Sequence, residues 1–520
     1  MLPIPTYQET HSWHCWIDFS GHDIAAEFHD VALFDSDTRR VVRITLPNPH
    51  GFDFPEDDPD CMWPLKKAAD ALEEHLANVP PETVGIEVDE AERLLAFGTS
   101  PDKDSTRQTE YPRIEQFQLP AAIAAKTVLR SELVEIRRFV TGVDLVSNHP
   151  PSPSLSRRKK DPNRYVFKYC TSSFVSGWAE IQMLSRLPPH PHLVLLDRLV
   201  LDEITKSQVV GFTMRYVPSE PLDKSRLLFK LKWLKQLIQT VDDLNLKYGI
   251  VHQDIADRNL LVDPDTDSIL LFDFNFATRL GVTKPRGLSS EGRWPGRDNV
   301  KGVLVFLYEY ITRDPALSRY MLHMFYEKDY LDPAKWIKHP DVRLDSPVAD
   351  FYLELMAWVR RRRAGTQLMH YTEAPEHLDW PDVLELTKGQ QMQYTLAERI
   401  SDGTPFLNWK RPSKSRLDPK RQLLATGRYA DEEAAAQAEA ARAAEAAVGR
   451  TIRPVGIRVV EDWECAPIIE PIVHAGPKRR YAEGAKWLRQ DGPRRGRPPP
   501  RTAPPAEATG DELRCRQTRC

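Results

Sequence analysis

The chain has 520 residues, more than one ordinary domain holds, and 41% of them are hydrophobic against 28% charged, so most of it can bury a core. A mean hydropathy of -0.48 and the absence of any apolar run of about 18 residues exclude a transmembrane helix. The net charge of -4 is uneven: residues 477–520 hold 12 Lys/Arg and 5 Asp/Glu, a net of +7, which leaves an acidic body ahead of a basic tail. Such a tail binds nucleic acid or an import receptor, or is a solvated linker. The six cysteines (Cys15, Cys61, Cys170, Cys465, Cys515 and Cys520) form no CxxC. That pattern argues against a disulfide framework and a zinc site, and fits an intracellular location, cytoplasmic or nuclear. The first residues lack a basic segment followed by an apolar one, so no secretory signal is expected.

Residues 1–125 read as a β-rich N-terminal extension, structural or partner-binding. Asp30–Phe34 and Arg39–Ile44 are β-rich runs around a polar turn, which predicts a hairpin. Lys66–Asn78 is a predicted amphipathic helix, stopped by Pro80-Pro81. His11, His14 and Cys15 are metal-ligand types, but no further ligand accompanies them.

Residues 130–365 carry the chemistry. Strands are expected at Leu133–Ser147, Arg164–Cys170, Leu193–Leu201 and Val209–Val217, with a helix at Trp178–Leu187. His190 and His192, flanking Pro191, read as structural. Leu227, Leu231, Leu234, Ile238, Val241 and Leu244 recur at three- and four-residue steps, which predicts a helix stopped at Gly249. A hairpin follows, Asn259–Val262 and Ser268–Asp273 around an Asp/Pro turn. Asn299–Arg363 reads as mostly helical.

Between helix and hairpin lies Gly-Ile-Val-His252-Gln253-Asp254-Ile-Ala-Asp-Arg-Asn259-Leu-Leu, and the hairpin ends in Leu-Phe-Asp273-Phe274-Asn275. Together these resemble the catalytic loop H-R-D-L-x-x-x-N and the D-F-G of protein kinases. The wording is similar to that of a group of protein-kinase-like proteins of filamentous fungi, with H-Q-D-I-A-x-R-N-L-L and L-F-D-F-N. The resemblance covers residues 130–365 and implies an α+β, two-lobed protein-kinase-like fold. It also implies ATP-dependent phosphoryl transfer, which demands positioning and charge neutralisation more than covalent help. Asp254 would take the proton of the attacking hydroxyl. Asn259 and Asp273 are hard oxygen donors suited to Mg²⁺. Lys168, in Tyr-Val-Phe-Lys-Tyr, and Glu180, in Trp-Ala-Glu-Ile, would be the ion pair that holds the α/β phosphates of ATP. Gly142 would lie over the nucleotide, and the backbone at Arg215–Val217, with Tyr216 and Val217, would meet the adenine behind Met214. His252 would hold the loop, and Asp298, in Asp-Asn-Val-Lys-Gly302, would brace it.

Four features depart from the kinase pattern. No G-x-G-x-x-G precedes Lys168, only Gly142, so the backbone wraps phosphate less closely. Gln253 replaces the arginine that meets an activating phosphate. Asn275 replaces glycine, a position where Asn tolerates left-handed backbone. Only 25 positions separate Asp273 from Asp298, with no A-P-E, which is short for docking a peptide. The phosphate acceptor, protein or small molecule, stays open. So does a pseudokinase scaffold that acts by binding.

Residues 366–476 lack clean periodicity except for an Ala/Glu-rich helix at 431–448. The basic run Lys410–Arg416 reads as a solvated loop. Residues 477–520, rich in Pro and Arg, are expected to be a disordered basic tail. There Arg495-Gly-Arg497-Pro resembles an AT-hook core whose arginines can enter a narrow DNA minor groove.

Overall fold

Strands dominate the first half of the chain and helices the second in the computed structural model. It describes residues 13–17, 28–35, 37–47, 80, 82–89, 93–99, 109, 111–148, 163–171, 175–225, 227–282, 299–314, 330–365, 367–381 and 406–451. These form a mixed α+β protein with six α-helices and several sheets among the described residues. Among them no helix is long and apolar enough to cross a membrane. The helix expected at Lys66–Asn78, His11, Asp298 and the tail with Arg495–Arg497 lie outside the described residues.

The first sheet has five strands in the order β1 (Trp13–Ile17), β2 (Phe28–Asp35), β3 (Arg40–Pro47), β4 (Gly85–Val88) and β5 (Leu94–Gly98). The expected hairpin is β2–β3, with Phe34 opposite Val41. Asp35 shapes its turn: its Oδ1 accepts from the Asp37 amide at 2.9 Å. The turn ends on Arg39, whose φ of 52° is left-handed.

The second sheet has six strands: β6 (Thr127–Leu129), β7 (Val134–Val140), β8 (Val143–Ser147), β9 (Arg164–Tyr169), β10 (Leu196–Leu201) and β11 (Val209–Arg215). Their order is β6-β10-β11-β9-β8-β7. All neighbours are antiparallel except β6 on β10. Inner β11, Val-Val-Gly-Phe-Thr-Met-Arg, is buried at every residue but the last, whereas edge strand β7 is fully buried only at Val134 and Arg138. Helix α2 (Val175–Leu184) connects β9 to β10; the four-residue α1 (Ala121–Ala124) precedes β6.

The following region is built on helices. In α3 (Leu231–Asp242), Trp233, Leu234, Leu237, Ile238 and Val241 line the buried face. The expected helix start at Leu227 is corrected: Leu228–Phe229 is a strand, β12, paired with β17 (Arg343–Leu344), because the chain extends across a neighbour before coiling. A single π turn, Asp243–Lys247, extends the helix toward the segment that holds His252 and Asp254. Short β13 (Ile250–Val251) pairs with β16 (Thr278–Arg279), and β14 (Leu260–Asp263) with β15 (Ser268–Leu271). Helix α4 (Asn299–Thr312) is buried almost all round, as a helix at the centre of a core must be. Helix α5 (Val348–Ala364) packs on α3 and α4.

The segment after residue 365 is more ordered than its lack of periodicity predicts. Residues 367–381 pack beside β16, where Trp380 and Tyr371 flank the Arg279 guanidinium at 5.1 and 5.0 Å. Residues 406–429 pack on the second sheet through Trp409, Leu407 and Ala425, all buried. The reading of Lys410–Arg416 as a solvated loop is corrected at Arg411, whereas Lys414, Ser415 and Arg416 are exposed. The Arg411 side chain is 1% exposed and ion-paired to Asp37 and Glu135, counter-charges that lie hundreds of residues away. Helix α6 (Ala430–Thr451) follows, longer than the expected 431–448.

Candidate active site

The expected site residues come from separate elements of the fold. Lys168 lies on β9 with its neighbours paired on both sides, to β8 and β11. Glu180 lies on α2 and is 1% exposed. The Lys168 Nζ stands 2.7 Å from Glu180 Oε2 and 2.5 Å from Asp273 Oδ1. Glu180 Oε1 also accepts from the Phe274 amide at 3.0 Å. One ammonium thus ties β9, α2 and the Asp273–Asn275 segment together.

Their protonation follows from depth. Burial alone would lower the pKa of Lys168, but Asp273 and Glu180 outweigh it and hold it above its ordinary value. Burial pushes the Glu180 carboxyl up, and Lys168 recovers only part of that. At Asp273 burial is outweighed by the Lys168 charge and hydrogen bond, so its carboxyl sits below the usual carboxylate range. The two carboxylates shift in opposite directions because Glu180 is the deeper of the two.

The segment from His252 to Asn259 is held from several directions. His252 is fully buried, its ring edge-to-face with Phe274 at 4.6 Å. Its Nε2 donates to Phe272 O at 3.1 Å, and its Nδ1 accepts from the Asp254 amide at 3.3 Å. Burial keeps this imidazole below its ordinary pKa, hence neutral, which suits that pair of bonds. The Asn299 side-chain oxygen, on buried α4, accepts from the amides of His252 and Gln253 at 3.0 and 3.2 Å. Asn299 thus braces the loop, a role that sequence reasoning did not give it. Gln253 is buried and donates to Phe276 O at 2.8 Å, a neutral link to the chain after Asp273.

Asp254 accepts from Arg258 Nη2 through Oδ1 at 2.5 Å and from Asn259 Nδ2 through Oδ2 at 2.8 Å. Sequence reasoning gave Arg258 no role, although its place four residues after Asp254 is a readable signal. Asn259 spends its amide nitrogen on Asp254, so its side-chain oxygen is the atom left for a cation.

The hairpin sets Asn259 beside Asp273. Leu260 of β14 pairs with Leu271 of β15, and the Phe272 amide donates to Asn259 O at 3.1 Å. The donor set of one carboxylate and one amide oxygen fits a hard cation such as Mg²⁺. Among the described residues, no group of three or more His, Cys, Asp or Glu side chains is placed to hold a metal ion.

Two residues here carry left-handed backbone without being glycine: Gln253 at φ 65° and Asp273 at φ 64°. Each costs on the order of 1–3 kcal/mol, strain that surrounding contacts must hold and that clusters at functional sites. The left-handed residue of the segment is Asp273, not Asn275 as the glycine comparison suggested.

A cavity of about 150 Å³ lies against Lys168, bounded by Thr141, Gly142, Cys170, Glu180 and Asn275 among others. Gly142 makes the two-residue tip of the β7–β8 hairpin, at φ 72°. Its carbonyl accepts from the Tyr169 amide at 2.9 Å, and a Cβ there would come within 2.8 Å of Tyr169 O. Only glycine fits that approach. Burial pushes the Cys170 thiol up to about 12, so it lines the cavity as an inert neutral group. Met214, Tyr216 and Val217 lie at and beyond the end of β11 and do not line this cavity; Tyr216 instead stacks with Phe139 of β7 at 6.2 Å. His190 and His192 are structural: His190 Nε2 meets Asp243 Oδ2 at 3.2 Å, at the π turn.

No protein-family model and no curated protein sequence matches this chain.

Proposed function

We propose that this chain is an ATP-dependent phosphotransferase with a two-lobed protein-kinase-like fold. The observation that carries the reading is the convergence on Lys168 of Glu180 from α2 and Asp273 from the segment after β15. The sheet order β7-β8-β9-β11-β10, with α2 between β9 and β10, supports the same reading, as does the helix–loop–hairpin sequence that carries Asp254 and Asn259.

In this reading Lys168, held by Glu180, binds the phosphates of ATP, and Gly142 covers them. Asp273 and Asn259 would hold Mg²⁺, which when bound supplies positive charge to the phosphate oxygens. Asp254 orients the acceptor hydroxyl and takes its proton. The hydroxyl oxygen forms its bond to the γ-phosphorus as the bond to the β–γ bridging oxygen breaks, and ADP leaves. Arg258 and Asn259 each occupy one oxygen of Asp254, which fixes the carboxylate's orientation. Neutral His252 anchors the loop from behind.

A second reading, a binding scaffold without turnover, draws on the short hairpin tip. Gly142 lies close on Tyr169, and the cavity beneath is only about 150 Å³. Transfer of labelled γ-phosphate by purified protein with Mg²⁺, compared with Asp254→Asn, decides between them. Turnover lost in the variant supports the enzyme. Equal signal in both, or none in either while ATP still binds, supports the scaffold.

A further inference from the structure

A buried group of charges joins three distant parts of the chain behind the β7–β8 hairpin. Asp144, on β8 two residues past Gly142, is fully buried and accepts from both Arg39 and Arg138. Arg39, in the β2–β3 turn, also donates to Glu135 Oε2 at 2.8 Å and to Ala425 O at 2.7 Å. Arg411 stands 3.4 Å from Asp37 and 3.5 Å from Glu135. Three arginines thus face three carboxylates.

The hairpin cannot balance this face by itself. It carries two of the carboxylates, Glu135 and Asp144, against one of the arginines, Arg138. A buried carboxylate without a partner is strongly disfavoured. The missing cations come from residue 39, ahead of the motif-bearing stretch, and from residue 411, behind it.

The same segments grip the residue next to Lys168. The Trp409 ring stacks on Tyr169 at 4.8 Å, and the Arg39 guanidinium lies 5.1 Å from the Tyr169 ring centre. Trp409 Nε1 donates to Tyr111 OH at 2.9 Å, and that hydroxyl donates to Cys170 O at 2.8 Å. The segment around Trp409 also pairs with edge strand β7: the Glu135 amide donates to Leu423 O and the Ala425 amide to Leu133 O, both at 2.7 Å. This covers the exposed edge of the sheet. Tyr169 in turn holds the Gly142 carbonyl.

We propose that Arg39, Trp409 and Arg411 are positioning residues for the nucleotide site: the two flanking segments hold the β7–β8 hairpin and the Lys168 strand in the geometry that receives the phosphates. The mention of nucleotide rests on the function proposed above; the coupling of the flanking segments to the hairpin does not.

The test uses the full chain as wild type, Arg39→Met, Arg39→Lys and Trp409→Leu. Amide hydrogen exchange and ATP binding with Mg²⁺ are measured on each. In Arg39→Met, amides of residues 140–145 and 168–170 are expected to exchange about tenfold faster or more, while those of α3 stay within about twofold. Arg39→Lys, which keeps the charge, restores part of the protection. The Kd for ATP rises about tenfold in Arg39→Met. Unchanged hairpin exchange overturns the proposal, as does an equal rise in α3, which marks a purely structural residue. Faster hairpin exchange with unchanged ATP affinity also overturns it. If Arg39→Met does not fold, Trp409→Leu decides, because it removes the Tyr169 stack and leaves the Arg39, Asp144 and Glu135 side chains in place. A wild type that binds no ATP, with hairpin exchange still responding to Arg39→Met, sinks the nucleotide reading and leaves the coupling supported.

Discussion

Replacing Lys168 with methionine removes the cation between two carboxylates and leaves the hydrocarbon stem in place. Among the described residues, Glu180, 1% exposed, then keeps only the Phe274 amide as a donor. Breaking a buried ion pair by removing one partner costs about 3–5 kcal/mol. The low end applies here, about 3 kcal/mol at pH 8, because the side chains of Lys168 and Asp273 are 20% and 28% exposed and water reaches them. The cost depends on pH. Burial already raises Glu180 above its ordinary pKa, and losing the ammonium raises it further. The folded variant therefore binds a proton as pH falls toward the unfolded value of about 4.3, and its deficit is smaller at pH 5 than at pH 8. Lys168→Met with Glu180→Gln removes both charges and recovers about 1–2 kcal/mol relative to Lys168→Met alone at pH 8. Urea unfolding followed by tryptophan fluorescence measures each value, provided that the slope stays constant. A Lys168→Met cost below about 1 kcal/mol at pH 8 refutes the reasoning. So does a double variant whose loss equals the sum of the single losses.

Gly211→Ala places a Cβ 2.2 Å from Lys168 O and 2.9 Å from Tyr169 Cα, so β11 and β9 must separate. A loss of about 1–3 kcal/mol in urea unfolding is expected, together with weaker ATP binding; no loss of either refutes it. His252, whose pKa is lowered by burial, binds its proton more readily in the unfolded chain. The native state therefore loses stability as pH falls below about 6.5, by at most about 1.4 kcal/mol per pH unit, and His252→Asn flattens that slope in unfolding curves from about pH 7 to pH 5.5. Asp273→Ala abolishes Mg²⁺-dependent ATP binding in calorimetry; wild-type binding indifferent to EDTA counts against the cation site. Phosphatase treatment leaves ATP turnover intact, because neutral Gln253 bonds the Phe276 carbonyl directly and Arg279 is already paired with Asp379. A fall of more than about tenfold reveals a phosphate site elsewhere, since a phosphate's charge of about −2 needs a cationic partner.

The local arrangement of the candidate site was legible in the sequence because it rests on short spacings. Asp254 and Asn259 are five residues apart, and the hairpin that returns the chain to Asp273 is set by two apolar runs and an Asp/Pro turn. The strand that carries Lys168 and the helix that carries Glu180 were readable from local pattern, but their meeting at 2.7 Å is a property of the folded sheet. The part of Asn299 in bracing the loop was not readable, because helix phase, not residue type, decides which side chain faces the His252 amide. The left-handed turn fell on Asp273 rather than Asn275, where Lys168 holds the Asp273 side chain and Glu180 the amide of the next residue. Least legible was the charge group behind the hairpin. Arg39, Asp144 and Arg411 look like ordinary surface charges in the sequence, and the basic run around Arg411 reads as solvated. Their burial depends on partners about 100 residues away or more, and no local pattern records which distant charge will meet a given one. Residue order alone settled which side-chain types stand at the site and in what succession. Which charges are buried together was settled in the folded chain, because desolvation and Coulomb attraction act through space rather than along the backbone.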